Sequence, residues 1–261
     1  MDDLKRLTLF DGRLNVAITG KEFGEVHPAR EDFPSQFARL REITGSPSIM
    51  FPRLWFTNQV AQLVDFVTFP DVSGSPLSGF LRSTDQSDGA ISGTLPIAIC
   101  NADCPIGVFL TTPNGGGKRR FGLVHLGLMT MISKDGRSSI LVELVKQLRS
   151  LGLRIDHFWM GFGSLSCCYG LSQEDDRWPL IQEWQRESFT VEKGPRAGQM
   201  GIDLGMIARN QLISEDVPSS RIEVDDYCTV CSGGDPEQGE HFSNLMRHGA
   251  TGRNAAFVWP A

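Results

Sequence analysis

The sequence predicts an α+β fold in which mixed β-sheets are layered with helices. Short apolar segments typical of strands come in hairpin-like groups, whereas the helical segments stand alone between them. The 261 residues, of which 40% are hydrophobic, are enough to bury a substantial core. No stretch of the sequence is a clear linker between two cores, so we expect a single domain over residues 1–261.

The first half of the chain contains most of the predicted strands. A strand is expected at residues 15–19, and a helix follows with Pro34 in its first turn and Gly45 at its end. Residues 51–69 are rich in aromatic and β-branched side chains, which indicates one or two strands. Three short strands are predicted next, at residues 95–100, 106–111 and 120–125. The Asn-Gly-Gly-Gly stretch at residues 114–117 predicts a hairpin turn between the last two.

The second half begins with the clearest helical pattern. Apolar residues recur at helical spacing from Ile140 to Leu151, after a serine cap at Ser138 or Ser139 and before Gly152. The remaining predicted elements are a buried strand at residues 155–160, a polar helix at 174–186, a helix at 203–212 and a strand at 255–259.

Charge and composition exclude several classes of partner. The formal net charge is −6 and there is no cluster of Lys and Arg, which argues against binding to nucleic acid or to an anionic membrane surface. No apolar run approaches the roughly 18 residues of a membrane helix, and the first ten residues carry charges where a secretion signal is apolar. We therefore expect a cytoplasmic protein. The sequence does not indicate an oligomeric state.

The densest group of reactive residue types is the segment from Asn101 to Pro105, between two predicted strands. Counted from a turn at Gly115, Cys104 lies 11 residues before it and His125 lies 10 residues after it. Residues equally far from a hairpin turn lie side by side, so we expect this thiol and this imidazole to meet. The pair can form an activated thiolate or bind zinc, or it can be a buried cysteine beside a core histidine.

Two further motifs are weaker. Cys228 and Cys231 have the spacing of half a zinc knuckle, and Cys100 and Cys104 are candidates to complete a four-thiolate site. Arg253 follows Thr251-Gly252 in a predicted loop, where a guanidinium can bind an anion in a bidentate manner.

The order of these motifs resembles the YfiH family, the laccase-domain group once labelled multicopper polyphenol oxidase. The series runs through Asn101-Ala102-Asp103-Cys104-Pro105, Val124-His125-x-Gly127, Gly161-x-Gly163-Ser164-x-x-Cys167-Cys168-Tyr169, Asp203-Leu204, Cys228-Thr229, Phe242-Ser243 and Thr251-Gly252-Arg253. Each motif is weak alone, but the register over residues 88–259 is specific. The five histidines are too few for a blue-copper centre together with an oxygen-reducing copper cluster, so a copper laccase is not expected.

The resemblance implies a YfiH-like sandwich fold and a zinc-dependent enzyme that acts on purine nucleosides. Its reactions are phosphorolysis of adenosine, inosine or guanosine, and deamination of adenosine. It places zinc on Cys104 and His125, which would also be the catalytic residues, and phosphate is the co-substrate. Asp103, Arg247 and Arg253 are our candidates for binding the substrate or phosphate. The family's third zinc ligand, a His after Gln-Val, is Ala61 here.

Further departures from the family pattern surround this lost ligand. Leu128 and Met129 replace a Trp-Arg pair whose guanidinium is a candidate phosphate ligand, and only Arg247 remains of an arginine pair near the C-terminus. Two alternatives therefore stand beside the zinc phosphorylase. One is a catalytically silent relative kept for binding or assembly, and the other is a metal-free hydrolase with Cys104 as nucleophile and His125 as base.

Overall fold

The structure is a computed structural model that describes residues 4–54, 61–62, 66–68, 80–132, 138–179, 190–191, 195–231, 241 and 253–261. The strands are β1 (Leu4–Leu9), β2 (Leu14–Thr19), β3 (Ile49–Arg53), β4 (Ala61–Gln62), β5 (Phe66–Thr68), β6 (Phe80–Gln86), β7 (Gly89–Ser92), β8 (Ile97–Asn101), β9 (Ile106–Pro113), β10 (Phe121–His125), β11 (Leu153–Gly161), β12 (Gly170–Ser172), β13 (Thr190–Val191), β14 (Gln199–Ile202), β15 (Ile222–Val224) and β16 (Asn254–Pro260). The α-helices are α1 (Phe33–Thr44), α2 (Leu128–Met131), α3 (Ile140–Ser150) and α4 (Leu204–Ser214).

The strands form three sheets within the described ranges. Sheet I has the order β1-β2-β16-β8-β3-β6-β5, sheet II the order β15-β11-β9-β10-β7-β4, and sheet III the order β12-β14-β13. Both larger sheets combine parallel and antiparallel pairs, since β3 runs parallel to β6 while β16 runs antiparallel to β2 and β8. This arrangement confirms the predicted α+β class with mixed sheets.

Sheets I and II stack face to face, and helices cover their outer faces. The core between the sheets includes Val16 and Ile99 from sheet I together with Val108 and Leu123 from sheet II. The outer face of sheet II packs against α2, α3 and α4 in a second core. The outer face of sheet I packs against α1, whose Phe33 side chain is fully covered in a third core. The layers are therefore, in order, helix α1, sheet I, sheet II, and the helices α2, α3 and α4.

The two clearest helix predictions are confirmed. Helix α1 has Pro34 in its first turn and ends at Gly45, whose φ of +63° is a left-handed conformation that glycine adopts readily. In α3, the Ser139 side chain accepts a hydrogen bond from the Val142 amide at 3.4 Å, and the apolar stripe faces the core. Sequence periodicity alone is sufficient for these elements because they follow one regular apolar stripe.

Other predictions are correct only in part. The predicted helix at residues 174–186 starts later than expected, because residues 174–177 form turns and a bend, whereas residues 178–179 are helical and residues 180–189 lie outside the described residues. The Asp175 carboxylate accepts hydrogen bonds from the amide and guanidinium of Arg177, which closes a local turn before the helix. Strands β1, β6, β12, β13, β14 and β15 were not expected from the sequence.

Candidate functional site

The β9–β10 hairpin brings Cys104 and His125 together. The two strands pair antiparallel, with His125 opposite Ile106, so that Cys104 reaches the same end of the hairpin just before β9 begins. Gly127 lies between the two side chains: a Cβ atom built on it would be 3.1 Å from Sγ of Cys104 and 3.1 Å from Cε1 of His125. The predicted meeting of the thiol and the imidazole is therefore present in the structure.

His125 is buried and contacts acidic groups on both sides. Its Nδ1 lies 3.8 Å from Oδ1 of Asp88, and its backbone amide donates a 2.7 Å hydrogen bond to the Asp88 carbonyl. Burial by itself would lower the pKa of His125, but the interaction with Cys104 and the nearby Asp88 carboxylate raise this pKa to about 9. His125 is therefore suited to carry a proton at neutral pH.

The turn that carries Cys104 is fixed by hydrogen bonds from neighbouring segments. Asp103 has a φ of +71°, and its carbonyl accepts hydrogen bonds from the amide of Ser164 at 2.7 Å and from the Ser164 hydroxyl at 3.0 Å. The Asn101 side chain donates a 2.8 Å hydrogen bond to the Cys104 carbonyl. These contacts hold the backbone on both sides of the thiol.

Cys104 and His125 open into a cavity of about 500 Å³ at one edge of the sheet stack. Its wall contains two guanidinium groups, Arg82 of β6 and Arg253 just before β16, together with the imidazole of His27. Phe51 and Leu54 add an apolar stretch to the same wall. The cavity therefore combines a nucleophilic pair, a cationic wall and an apolar surface.

The positive charges of the wall affect the pKa of His27. Partial burial lowers the pKa of His27 below its usual value, and the positive charges of Arg253 and Arg82 lower it further against the opposing effect of Glu25. His27 is therefore largely neutral at pH 7. Among the described lining residues, Arg82 and Arg253 carry the fixed positive charges.

The predicted site residues fall into three groups. Cys104, His125 and Arg253 line one cavity, whereas Asp103 lies buried in the adjoining turn and is not part of the cavity lining. Arg247 lies outside the described residues. Sequence reasoning did not assign Arg82 or Asp88 to the site, because neither lies in a motif whose spacing indicates chemistry.

Comparison with known proteins identifies the family. A family model described as "Multi-copper polyphenol oxidoreductase laccase" matches residues 31–261. The chain belongs to this family. The resemblance to YfiH proteins that the motif series indicated is thereby confirmed.

The YfiH-family fold is also evident in solved structures. YlmD of Geobacillus stearothermophilus covers 100% of this chain with a TM-score of 0.66 and 22% identity. The Bacillus licheniformis protein YfiH covers 94% of it with a TM-score of 0.65 and 19% identity. In both cases the match covers more than nine-tenths of the solved chain, 99% of YlmD and 92% of YfiH.

A sequence relative carries a functional name. "Purine nucleoside phosphorylase YlmD" of Geobacillus stearothermophilus is 28% identical over 164 residues, which make up 62% of this chain. The matched region spans 55% of that relative's length. Among the described residues, no helix is both long and apolar enough to cross a membrane.

The YfiH resemblance implies a zinc site with three donors. Of the described residues, Cys104 and His125 line the cavity and offer two. The resemblance aligns the third position with Ala61, in β4 beside Ala90 of β7, whose methyl group has no donor atom. Catalytic zinc sites use three protein ligands. Among the described residues, the only group of three or more His, Cys, Asp or Glu ligand atoms within 4.8 Å of one another is a set of four cysteines elsewhere. The described residues at the cavity therefore do not fit a three-ligand zinc ion.

The four-cysteine set corrects one sequence prediction. Cys228 and Cys231 lie beside Cys167 and Cys168, and not beside Cys100 and Cys104 as predicted. The reason is topological, since Gly163 after β11 forms a bridge with Cys228, whereas Cys100 and Cys104 line the cavity. All six cysteines are free thiols.

Proposed function

We propose that this chain is a purine nucleoside phosphorylase-like enzyme that cleaves the base from a purine nucleoside with phosphate. The functional name of the YlmD relative supports this reaction class. The structural observation that carries the proposal is that Arg82 and Arg253 line the same cavity as Cys104 and His125. Phosphorolysis needs an anion site and an acid group within one pocket, and this cavity supplies both.

The arginines are proposed to bind phosphate. Guanidinium groups form bidentate hydrogen bonds with phosphate oxygens and stay charged at any working pH. Arg253 is well placed for this role because its carbonyl accepts a 2.9 Å hydrogen bond from the Val26 amide, which fixes the backbone before β16. The apolar stretch of Phe51 and Leu54 then offers a surface for the flat face of a purine.

In the proposed reaction, a phosphate oxygen forms a bond to C1′ of the ribose while the bond from C1′ to the purine nitrogen breaks. The electron pair of the broken bond leaves with the base, and the His125 imidazolium donates its proton to that base. The side chains of Cys104 and Asp88 lie beside this imidazole, and the negative charge of the Asp88 carboxylate stabilises the imidazolium before the transfer. The products are ribose 1-phosphate and the free purine.

Zinc at this cavity is proposed to bind weakly. A complete structural zinc site has an apparent binding free energy of about 10–16 kcal/mol, and loss of one protein donor lowers that affinity by orders of magnitude. His27 lines the same cavity, but its ligand atoms do not join Cys104 and His125 in a group within 4.8 Å. The proposed reaction therefore relies on the side chains of the chain itself.

The test measures purine release from adenosine, inosine and guanosine, with and without phosphate. We expect release that requires phosphate, loss of release in Cys104→Ala, and a raised KM for phosphate in Arg253→Gln. Arg154→Gln is the matched control, because Arg154 is exposed and lies outside the cavity.

Three results would overturn the proposal, each in favour of a different conclusion. Release that is equal without phosphate indicates hydrolysis with water as acceptor. Full activity in Cys104→Ala removes the pair from the mechanism. No release from any of the three nucleosides, from protein that is folded by circular dichroism, identifies a silent relative kept for binding.

A further inference from the structure

The strongest unassigned feature is the group of four cysteines on the far side of the Cys104 turn. The Sγ atoms of Cys167, Cys168, Cys228 and Cys231 all lie within 4.8 Å of one another. Cys228 is buried, Cys168 and Cys231 are half-buried, and Cys167 is exposed. Exposure therefore increases from Cys228 to Cys167, so the group is closed on the side of the core and accessible to ions on the side of the solvent.

The spacing of the sulfur atoms matches a tetrahedral thiolate site. Zinc–sulfur bonds of about 2.3 Å in a tetrahedron place neighbouring sulfurs about 3.8 Å apart. Sγ of Cys167 lies 3.6 Å from Sγ of Cys231 and 3.8 Å from Sγ of Cys168. The thiols are therefore already near the separation that a bound ion would impose.

The backbone near Cys228 offers a hydrogen-bond donor to its sulfur. The Leu165 amide donates to this sulfur at 3.5 Å. Amide donors of this kind stabilise a thiolate, which is the form that binds a metal.

The closeness of the four sulfur atoms also favours a bound cation. Four sulfurs this close cannot all ionise without a counter-charge, because thiolates repel one another. A divalent cation removes this repulsion, and its uptake releases the thiol protons.

We propose that Cys167, Cys168, Cys228 and Cys231 form a structural zinc site that is separate from the catalytic cavity. The site joins the loop after β11 to the 228–231 turn, which are already linked by the bridge between Gly163 and Cys228 and by a 3.1 Å hydrogen bond from the Thr229 amide to the Gly163 carbonyl. Bound zinc fixes these two segments to each other.

The same loop supports the turn of the catalytic cysteine. Gly163 packs directly against Pro105, and Ser164 donates two hydrogen bonds to the Asp103 carbonyl. The zinc site therefore fixes a segment that lies directly behind Cys104. This places the metal in a supporting role, at a site with no open position for a substrate.

The test measures zinc per chain in the purified full-length protein. We expect about one zinc per chain in the wild type and in Cys104→Ala, and little zinc in Cys167→Ser, whose thiol is exposed so that its loss leaves the core intact. Cys231→His is expected to retain zinc, because three cysteines and one histidine are a common zinc set. Cys100→Ser is the control for removal of a thiol outside the group.

X-ray absorption at the zinc edge reports the ligands directly. Four sulfur neighbours at about 2.3 Å would support the site. Nitrogen in the first shell, or zinc that is lost in Cys104→Ala and retained in Cys167→Ser, would overturn it in favour of the cavity. Metal-free protein that takes up no added zinc under reducing conditions would overturn it as well. None of these outcomes depends on nucleoside phosphorolysis, so the site and the proposed reaction are tested separately.

Discussion

Gly127 is the residue on which the geometry of the catalytic pair depends most directly. Its dihedral angles, φ −71° and ψ 155°, are open to any residue, so the glycine is required by space and not by backbone conformation. A methyl group at this position would approach Cys104 and His125 at 3.1 Å. The absence of a side chain thus lets the thiol and the imidazole converge.

Gly127→Ala is therefore expected to impair the pair without unfolding the protein. The neighbours must shift by a few tenths of an ångström, and we expect kcat/KM for purine release to fall about tenfold, because small displacements of catalytic groups are costly. Alkylation of Cys104, followed by peptide mass spectrometry, should slow as well. Gly93→Ala is the control, since a Cβ there meets nothing within 4 Å. Unchanged kinetics and alkylation in Gly127→Ala would contradict this account.

The sequence was sufficient to predict part of the site at the residue scale. The meeting of Cys104 and His125 follows from counting along one hairpin, which is a local property. Arg82 and His27 could not be predicted in the same way. Arg82 lies on β6 and His27 lies in the segment before α1. Their positions in the cavity wall depend on the order of strands in sheet I.

At the scale of elements, strand β4 brings the position of the missing zinc ligand into sheet II. Ala61 pairs with Ala90 of β7, and Ala90 pairs with Leu123 of β10, two residues before His125. Ala61 and Leu123 are two strand spacings apart, which is about 10 Å. A side chain longer than that of alanine at residue 61 can cover part of the distance between β4 and β10.

Ala61→His is expected to restore a three-donor set. Zinc content should rise by about one ion per chain above the wild type, since a second imidazole is the third donor of a His-Cys-His site. The increment should disappear in the double variant with Cys104→Ala. Gln62→His is the matched control, because successive strand positions face opposite sides of a sheet. No increment in Ala61→His would show that residue 61 does not face the cavity.

Helices and strands could be predicted from the sequence where a local pattern of residues is enough to determine them. Helices α1 and α3 have a clear start, an apolar stripe and a glycine after the end. The four-cysteine group was assigned to the wrong partners, because a contact between residues 163 and 228 is set by the packing of two distant segments. No local spacing contains that information.

At the scale of the whole molecule, each of the three cores contains one tryptophan among the described residues. Trp159 lies between the two large sheets, Trp178 lies in the core under α3 and α4, and Trp259 lies in the core under α1. All three are buried. Once the other four of the five tryptophans are replaced, the fluorescence of the remaining one can report on its own layer.

We expect the layers to unfold together, as predicted for a single domain. Each large sheet contributes to two cores, so loss of one core exposes apolar surface of the next. Variants that keep only one of Trp159, Trp178 or Trp259 should give the same urea midpoint by fluorescence and by circular dichroism. A fluorescence midpoint that differs from the circular dichroism midpoint of the same variant would divide the chain into independent units.

Strand β16 sits between β2 and β8 in the middle of sheet I. During synthesis on the ribosome, β2 and β8 emerge long before residues 254–260, so the edges that they will share with β16 stay unpaired while the intervening residues are translated. Exposed edges of this kind are open to pairing with other nascent chains. A holding chaperone, or slow collapse until β16 has been translated, would protect the nascent protein at that stage.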